Sequence, residues 1–501
     1  MESSIGALIS ASAARYGEKT ALVVNGCRYS FTALDRLSTA VATRLQQQGC
    51  GRGMTASICA PNSAEWIIAY YGILKAGCIV SPLNLMLTAP ETAYALTDSG
   101  ASVLFGFSEK LLSIRAALGE KSPLLVAFDG VATDLESFED WLETSVDSAL
   151  KSTGDLSGDI STVAYTSGTT GKPKGALLTH RAILLNVAMT ATLHGRTEHD
   201  TVVSALPLSH VYGNVVMQCA IAYGMTLVLH ATFKGDEVLQ SIEKHHATIF
   251  EGVPTMYMYL LEHPTLADFD LSSLTRCTVG GQTMPLAKMK EVEAKLGVRL
   301  IELWGMTELG GLGITHPVLG EARLGSVGLP FPCAQVGIMA PDSRGEFLPA
   351  GEVGELVVKG PLNMVGYLNS PEATAEAIDS SGYLHTGDLA YMDDDGYVFV
   401  VDRLKDMIIT AGFNIYPAEL ESTLCEHPSV AMAAVVGVPD PVKGELAKAF
   451  VVLRQGCRLT EQELFDFCRA RLASYKIPRL LAIVDDLPRT GSGKILRRAL
   501  R

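Results

Sequence analysis

The sequence predicts an α/β protein, with a large N-terminal domain of helix-covered sheets plus a β-rich part and a small α+β C-terminal domain. Three observations predict it. Strand-like and helix-like runs alternate through the first part of the chain, shorter β-like runs take over from about Val353, and a compact α+β pattern begins near Asp402 and Arg403. The domains are therefore drawn at 1–402 and 403–501.

Residues 5–14 are small and apolar, but Glu2 stands where an export signal would carry Lys or Arg, so this stretch reads as the first helix of the fold. The runs 57–59, 64–74 and 79–81, and later 202–206, 211–223 and 225–229, alternate between strand and helix periodicity. Such alternation places parallel strands under a cover of helices. Beyond Val353, Asp395 and Gly396 mark a hairpin turn between 389–392 and 397–401. No internal repeat or low-complexity tract interrupts the order.

The bulk chemistry excludes several classes. A net charge of -14 argues against nucleic-acid binding, which needs a cationic face. No apolar run reaches the roughly 18 residues of a membrane-spanning helix. The ten cysteines show no C-x-x-C pair and no zinc spacing, so they read as reduced thiols of a cytoplasmic protein. Self-association is left open by the sequence.

The densest chemical signal is residues 165–175, Tyr-Thr-Ser-Gly-Thr-Thr-Gly-Lys-Pro-Lys-Gly, which follow the strand-like 162–164 and precede a helix-like run from Thr179. Glycines let backbone N–H groups approach phosphate oxygens, hydroxyls add donors, and Lys172 or Lys174 supplies charge. The nucleotide-binding Walker pattern is excluded, because Pro173 stands where that motif needs Ser or Thr.

This segment resembles the phosphate loop of the AMP-forming acyl-CoA synthetase superfamily, and the resemblance recurs in order along the chain. Residues 206–213 (Leu-Pro-Leu-Ser-His-Val-Tyr-Gly) resemble its next motif, 302–308 (Glu-Leu-Trp-Gly-Met-Thr-Glu) its adenylate motif, and 383–389 (Tyr-Leu-His-Thr-Gly-Asp-Leu) its ribose motif. Residues 402–407 (Asp-Arg-Leu-Lys-Asp-Met) resemble its hinge, and 488–495 (Pro-Arg-Thr-Gly-Ser-Gly-Lys-Ile) the loop of its catalytic lysine.

The resemblance implies ATP, Mg2+ and coenzyme A as cofactor and co-substrates, with a small mobile C-terminal lid. It assigns the phosphates to Thr166, Ser167, Gly168, Thr169, Thr170, Gly171 and Lys174, gating of the acyl site to His210, and an α-phosphate donor to Thr307. Glu308 would hold Mg2+, a hard cation that prefers carboxylate and phosphate oxygens. Trp304, beside Gly305, stands where a Tyr commonly stacks on adenine, which keeps the aromatic face but not the phenol. Asp388 would accept from both ribose hydroxyls and Arg403 would donate to ribose or phosphate. Lys494 would bridge the carboxylate and the α-phosphate, Lys405 would be the pivot, and Gly412 would leave room for the pantetheine arm.

The acyl pocket implied by the resemblance lies near 211–213, 252–253, Gly280, Gly281, Gln282 and 309–313, with no Lys or Arg among them. A second substrate carboxylate would be buried there unpaired. The expected substrate is an apolar aliphatic or aromatic monocarboxylate, ahead of a malonyl-type dicarboxylate, for which Arg276 and Arg323 would be the suspects. Loading of a phosphopantetheine carrier protein is the alternative to free coenzyme A.

Overall fold

The computed structural model describes residues 4–119, 122–130, 134–144, 154–166, 173–341 and 345–501. The chain is α/β, with two large mixed sheets, a four-stranded antiparallel sheet and a five-stranded sheet near its end.

The nine-stranded sheet runs in the order Leu329–Pro330, Gly311–Thr315, Arg299–Met306, Arg276–Gly280, Ile249–Gly252, Thr201–Ser204, Thr226–Leu229, Thr20–Val24, Cys27–Ser30. Its central strands are parallel, with Glu251 opposite Thr278 and Gly280 opposite Leu303. The eight-stranded sheet centres on Thr55–Cys59, Ile79–Pro82 and Ile160–Thr166, with Lys174–Thr179 and Gly366–Tyr367 at one side. The helix Ala64–Lys75 is buried nearly all round, as its largely apolar sequence requires. Ser63 caps it by accepting from the Trp66 N–H.

The first helix, Ile5–Tyr16, forms as expected, with Ser4 as its cap. The expected runs 64–74 and 211–223 are the helices Ala64–Lys75 and Val211–Ala222, and the expected hairpin joins Leu384–Met392 to Val398–Arg403. The helix expected from Thr179 forms as His180–Leu193, with Thr179 as its cap, and before it Lys174–Thr179 is a strand antiparallel to Ile160–Thr166 that the sequence reading did not distinguish. The intervening loop thus joins two strands of one sheet.

After Arg403 a short turn, Leu404–Asp406, leads into the last sheet, built on the long pair Val430–Asp440 and Gly444–Leu453. One face of that sheet covers its own core, formed with Leu420, Leu424, Leu464 and Cys468. The opposite face, with Met432, Ala434, Val436 and Phe450, packs on Met258 of the helix Pro254–Leu261. Arg454 fixes the same junction, reaching Glu262 and Glu291 at 2.5 and 2.6 Å. All ten cysteines are unpaired. Among the described residues, no helix is long and apolar enough to cross a membrane.

Candidate active site

The chain end builds the most constrained part of the site. Residues 488–496 close on themselves, the Leu496 N–H donating to the Pro488 carbonyl at 2.7 Å and the Thr490 N–H to the Lys494 carbonyl at 2.7 Å. Gly493 sits at φ +82°, a turn conformation that a side chain would strain. Gln282 clips this loop to the nine-stranded sheet. Its Oε1 accepts from the Ile495 N–H at 2.9 Å, and its Nε2 donates to the Ile495 carbonyl at 3.3 Å. The Thr255 hydroxyl donates to the Gly493 carbonyl at 2.5 Å.

So held, Lys494 reaches over Gly281, where an added Cβ would lie 2.8 Å from Lys494 Cε. Gly281 itself sits at φ +91°, a conformation that a side chain would strain. The Lys494 ammonium lies 3.4 Å from His210 Nε2. His210 Nδ1 accepts from the Tyr212 N–H at 3.3 Å, so a neutral ring carries its proton on Nε2. Burial, reinforced by the lysine, pushes His210 down to about 3 and keeps it neutral. Lys494 itself is lowered to about 8 by burial and by Arg403, with Asp388 opposing. Two donors therefore face one another with no acceptor between them among the described residues, a geometry that fits an anionic oxygen.

Asp388 forms the second corner. Its Oδ2 accepts from the Trp304 indole N–H at 2.8 Å and its Oδ1 lies 3.1 Å from Arg403 Nε. Trp304 keeps a hydrogen bond of its own, although it lacks the phenol of a tyrosine, and only 7 % of its surface is exposed. Burial raises the Asp388 carboxyl, and Arg403 pulls it back. Gly305 admits no side chain, because a Cβ would meet the Gly311 carbonyl oxygen at 2.1 Å.

Glu308 is the third corner. The single turn Thr307–Leu309 ends on Gly310 at φ +63° and buries the Glu308 side chain. Tyr367 donates its hydroxyl to Glu308 Oε1 at 2.7 Å. Burial raises the Glu308 carboxyl against that hydrogen bond. Lys174 lies across the same tyrosine, its Nζ 5.5 Å from the ring centroid.

The structure thus brings Lys494, His210, Gly281 and Gln282 together, joins Trp304, Asp388 and Arg403, and sets Glu308 beside Tyr367. Thr166 ends its strand beside the Lys174 carbonyl at 3.5 Å. Ser167, Gly168, Thr169, Thr170 and Gly171 lie outside the described residues. Lys405 is exposed on its turn, and Gly412, at φ +83°, tips a hairpin with nothing within 4 Å of an added Cβ. Arg276 is bonded to Asp200 at 2.8 Å, and Arg323 to Asp393 and Asp395 at 2.5 Å each, so both suspects for a second carboxylate are already paired.

Sequence reasoning missed three features. Tyr367 carried no motif signal. Arg497, close behind Lys494, spans Glu421 at 2.8 Å and Asp402 at 3.2 Å, anchoring the loop's far end. Arg196 forms a fully buried pair with Glu251 at 2.5 Å.

This architecture is that of an adenylate-forming enzyme. The family model "AMP-binding enzyme" matches residues 9–368, and "AMP-binding enzyme C-terminal domain" matches 419–494. A long-chain-fatty-acid–CoA ligase of Bacillus subtilis (strain 168) is 36% identical, over 98% of this chain and 93% of its own. A feruloyl-CoA synthase of an Amycolatopsis species is 37% identical, over 96% and 95%. The crystal structure of the anthranilate CoA ligase AuaEII with anthranoyl-AMP superposes with a TM-score of 0.92 at 28% identity, covering 100% of this chain and 98% of that one. The chain belongs to the AMP-forming acyl-CoA synthetase superfamily, as a member of the AMP-binding enzyme family.

Proposed function

We propose that this chain is a carboxylic acid–CoA ligase. A carboxylate oxygen attacks the α-phosphorus of ATP, breaking the α–β phosphoanhydride bond and releasing pyrophosphate. The coenzyme A thiol then displaces AMP from the acyl-adenylate, giving the thioester. The favoured acid is an apolar aliphatic or aromatic monocarboxylate, since Arg276 and Arg323 are both occupied by carboxylates.

The observation that carries the reading is the donor pair of Lys494 and neutral His210, 3.4 Å apart and, among the described residues, with no acceptor between them. Carboxylate and α-phosphate repel, and a buried cation between them offsets that repulsion where charge develops. Asp388, with Arg403 and Trp304, would take the ribose and adenine end. Thr166, Lys174, Thr307 and the loop 167–171 would take the phosphates. The single buried carboxylate of Glu308 fits a Mg2+ ion held mainly by the triphosphate, and among the described residues no cluster of three ligating side chains competes with it. That ion would supply charge neutralisation at the phosphates.

Lys494 and Arg403 belong to the proposed unit 403–501, and His210, Gly281, Gln282, Trp304, Glu308 and Asp388 to 1–402. A pivot at Lys405 would withdraw the lysine after adenylation and present Gly412 for the pantetheine arm, since both steps need different groups at one carbon. The complement of unpaired cysteines supports a cytoplasmic setting.

The test is pyrophosphate release over a panel of carboxylic acids, with and without coenzyme A. Acid-dependent release and thioester formation are expected. Thioester formed only on a phosphopantetheinylated carrier would assign the second step to carrier loading, and release with no acid would refute the reading.

A further inference from the structure

Beneath Lys494 and His210 the interior is not apolar. Glu251 and Thr278 are register partners on neighbouring parallel strands, two residues before Val253 and Gly280. At the rise of a strand they lie about 7 Å deeper on the same face. Val253 borders both Gly281 and Gly493, so this depth is measured from the catalytic loop itself. Tyr212, two residues after His210, closes the cluster from the helix Val211–Ala222. Its hydroxyl lies 3.2 Å from Glu251 Oε2 and 2.6 Å from Thr278 Oγ1, and the Thr278 hydroxyl also donates to Glu251 Oε2.

Arg196 completes the cluster from below. Its Nη2 lies 2.5 Å from Glu251 Oε1 and 3.2 Å from His194 Nδ1, with 1% and 0% of the Arg196 and Glu251 side chains exposed. Nε and Nη1 of Arg196, and Oε1 of Glu251, are buried and have no hydrogen-bond partner among the described residues. A buried ion pair is weak as a stabilising device, because a well-packed apolar pair of similar volume does as well or better. Two unsatisfied charged donors make this one costlier still. Stability alone does not account for the cluster.

Resting on the ligase reading above, we infer that the Arg196–Glu251 pair, with Tyr212, is the far end of the acyl site. Among aliphatic and aromatic monocarboxylates it selects those whose otherwise apolar body carries one neutral hydroxyl or carbonyl oxygen at the end away from the reacting carboxylate. The acceptor is neutral because Glu251 already balances the guanidinium, and a second carboxylate would leave an unmatched buried charge. The shallow depth suits an acyl body about the length of a substituted ring or a short chain.

The experiment compares kcat/KM for pyrophosphate release on matched acids, 4-hydroxybenzoate against benzoate and 4-oxopentanoate against pentanoate. The native enzyme is expected to favour the oxygenated acid in at least one pair by ~10²-fold or more, since polar groups left unpaired reject the bare analogue strongly. In Arg196→Met with Glu251→Leu, which removes both charges together, that ratio should fall below about 10-fold, the range of an apolar pocket. Native preference for the bare acid in both pairs, or an unchanged ratio in the double variant, would overturn the inference. Should the double variant not fold, affinities of the native enzyme for the two acyl-sulfamoyl adenylates of each pair decide the same point, equal values overturning it. If no acid releases pyrophosphate, the ligase reading itself fails, which is a separate outcome.

Discussion

Replacing Lys494 by Met should cost activity and add stability at the same site. The ammonium is lowered from 10.5 to about 8, chiefly by burial, which corresponds to about 3 kcal/mol held against the charged form. Part of the side chain still meets solvent, so about 1–3 kcal/mol is the expected gain on removing it. The sign follows from the direction. A lysine lowered in the folded state destabilises the fold fully below about pH 8, and the penalty fades as pH rises towards 10.5. The Met variant should therefore be more resistant to guanidinium than the native enzyme at pH 7, with the difference shrinking above pH 8. Acyl-adenylate formation, followed by pyrophosphate release, should fall by ~10²- to 10³-fold, the effect of losing one preorganised charge donor. Coenzyme A attack on supplied acyl-adenylate should stay within a few-fold of native. Equal loss in both half-reactions, or a lower unfolding midpoint at pH 7, would refute the reasoning.

Three further outcomes follow from the site. With His210 at about 3 and Lys494 at about 8, kcat/KM for the acid should be flat from pH 5.5 to 7 and fall as pH rises through about 8; a histidine limb near 6.5 would contradict the neutral ring. Asp388→Ala frees the Trp304 indole N–H and Arg403, and should raise the KM for ATP by ~10-fold or more with the KM for the acid little changed, an effect of one buried charged hydrogen bond. Gly412→Leu places a side chain on an exposed hairpin at φ +83°, and should slow thioester formation while pyrophosphate release holds; an unaltered thioester rate would remove Gly412 from the thiol path.

Elements were legible where the signal is local. The run 64–74 announced a helix through its length and periodicity, and Ala64–Lys75 is that helix. Asp395 and Gly396 announced their hairpin through turn chemistry alone. The strand Lys174–Thr179 was hidden because its Lys174 and Gly175 spelled a loop, while one of its partners, Gly366–Tyr367, lies far along the chain. The placement of Thr20–Val24 beside Thr226–Leu229 was equally beyond local pattern, since no residue of either strand specifies its neighbour.

The same distinction separates the parts of the site. Lys494, Asp388 and Glu308 sit in short motifs whose residue types state their chemistry, so each was nameable before any contact was known. Tyr367, Arg196 and Glu251 have no such setting. Glu251 lies in an apolar strand, and read alone it is a misplaced charge; only the register that sets it opposite Thr278, with Tyr212 above and Arg196 below, makes it a recognition surface. The expectation of a pocket without Lys or Arg was drawn from the stretches lining its mouth. The cation that bears on the substrate enters from outside those stretches, on the segment preceding the strand Thr201–Ser204. Lys494, Asp388 and Glu308 are therefore legible from contiguous motifs, whereas Glu251, Thr278, Tyr212 and Arg196 are brought together only by packing.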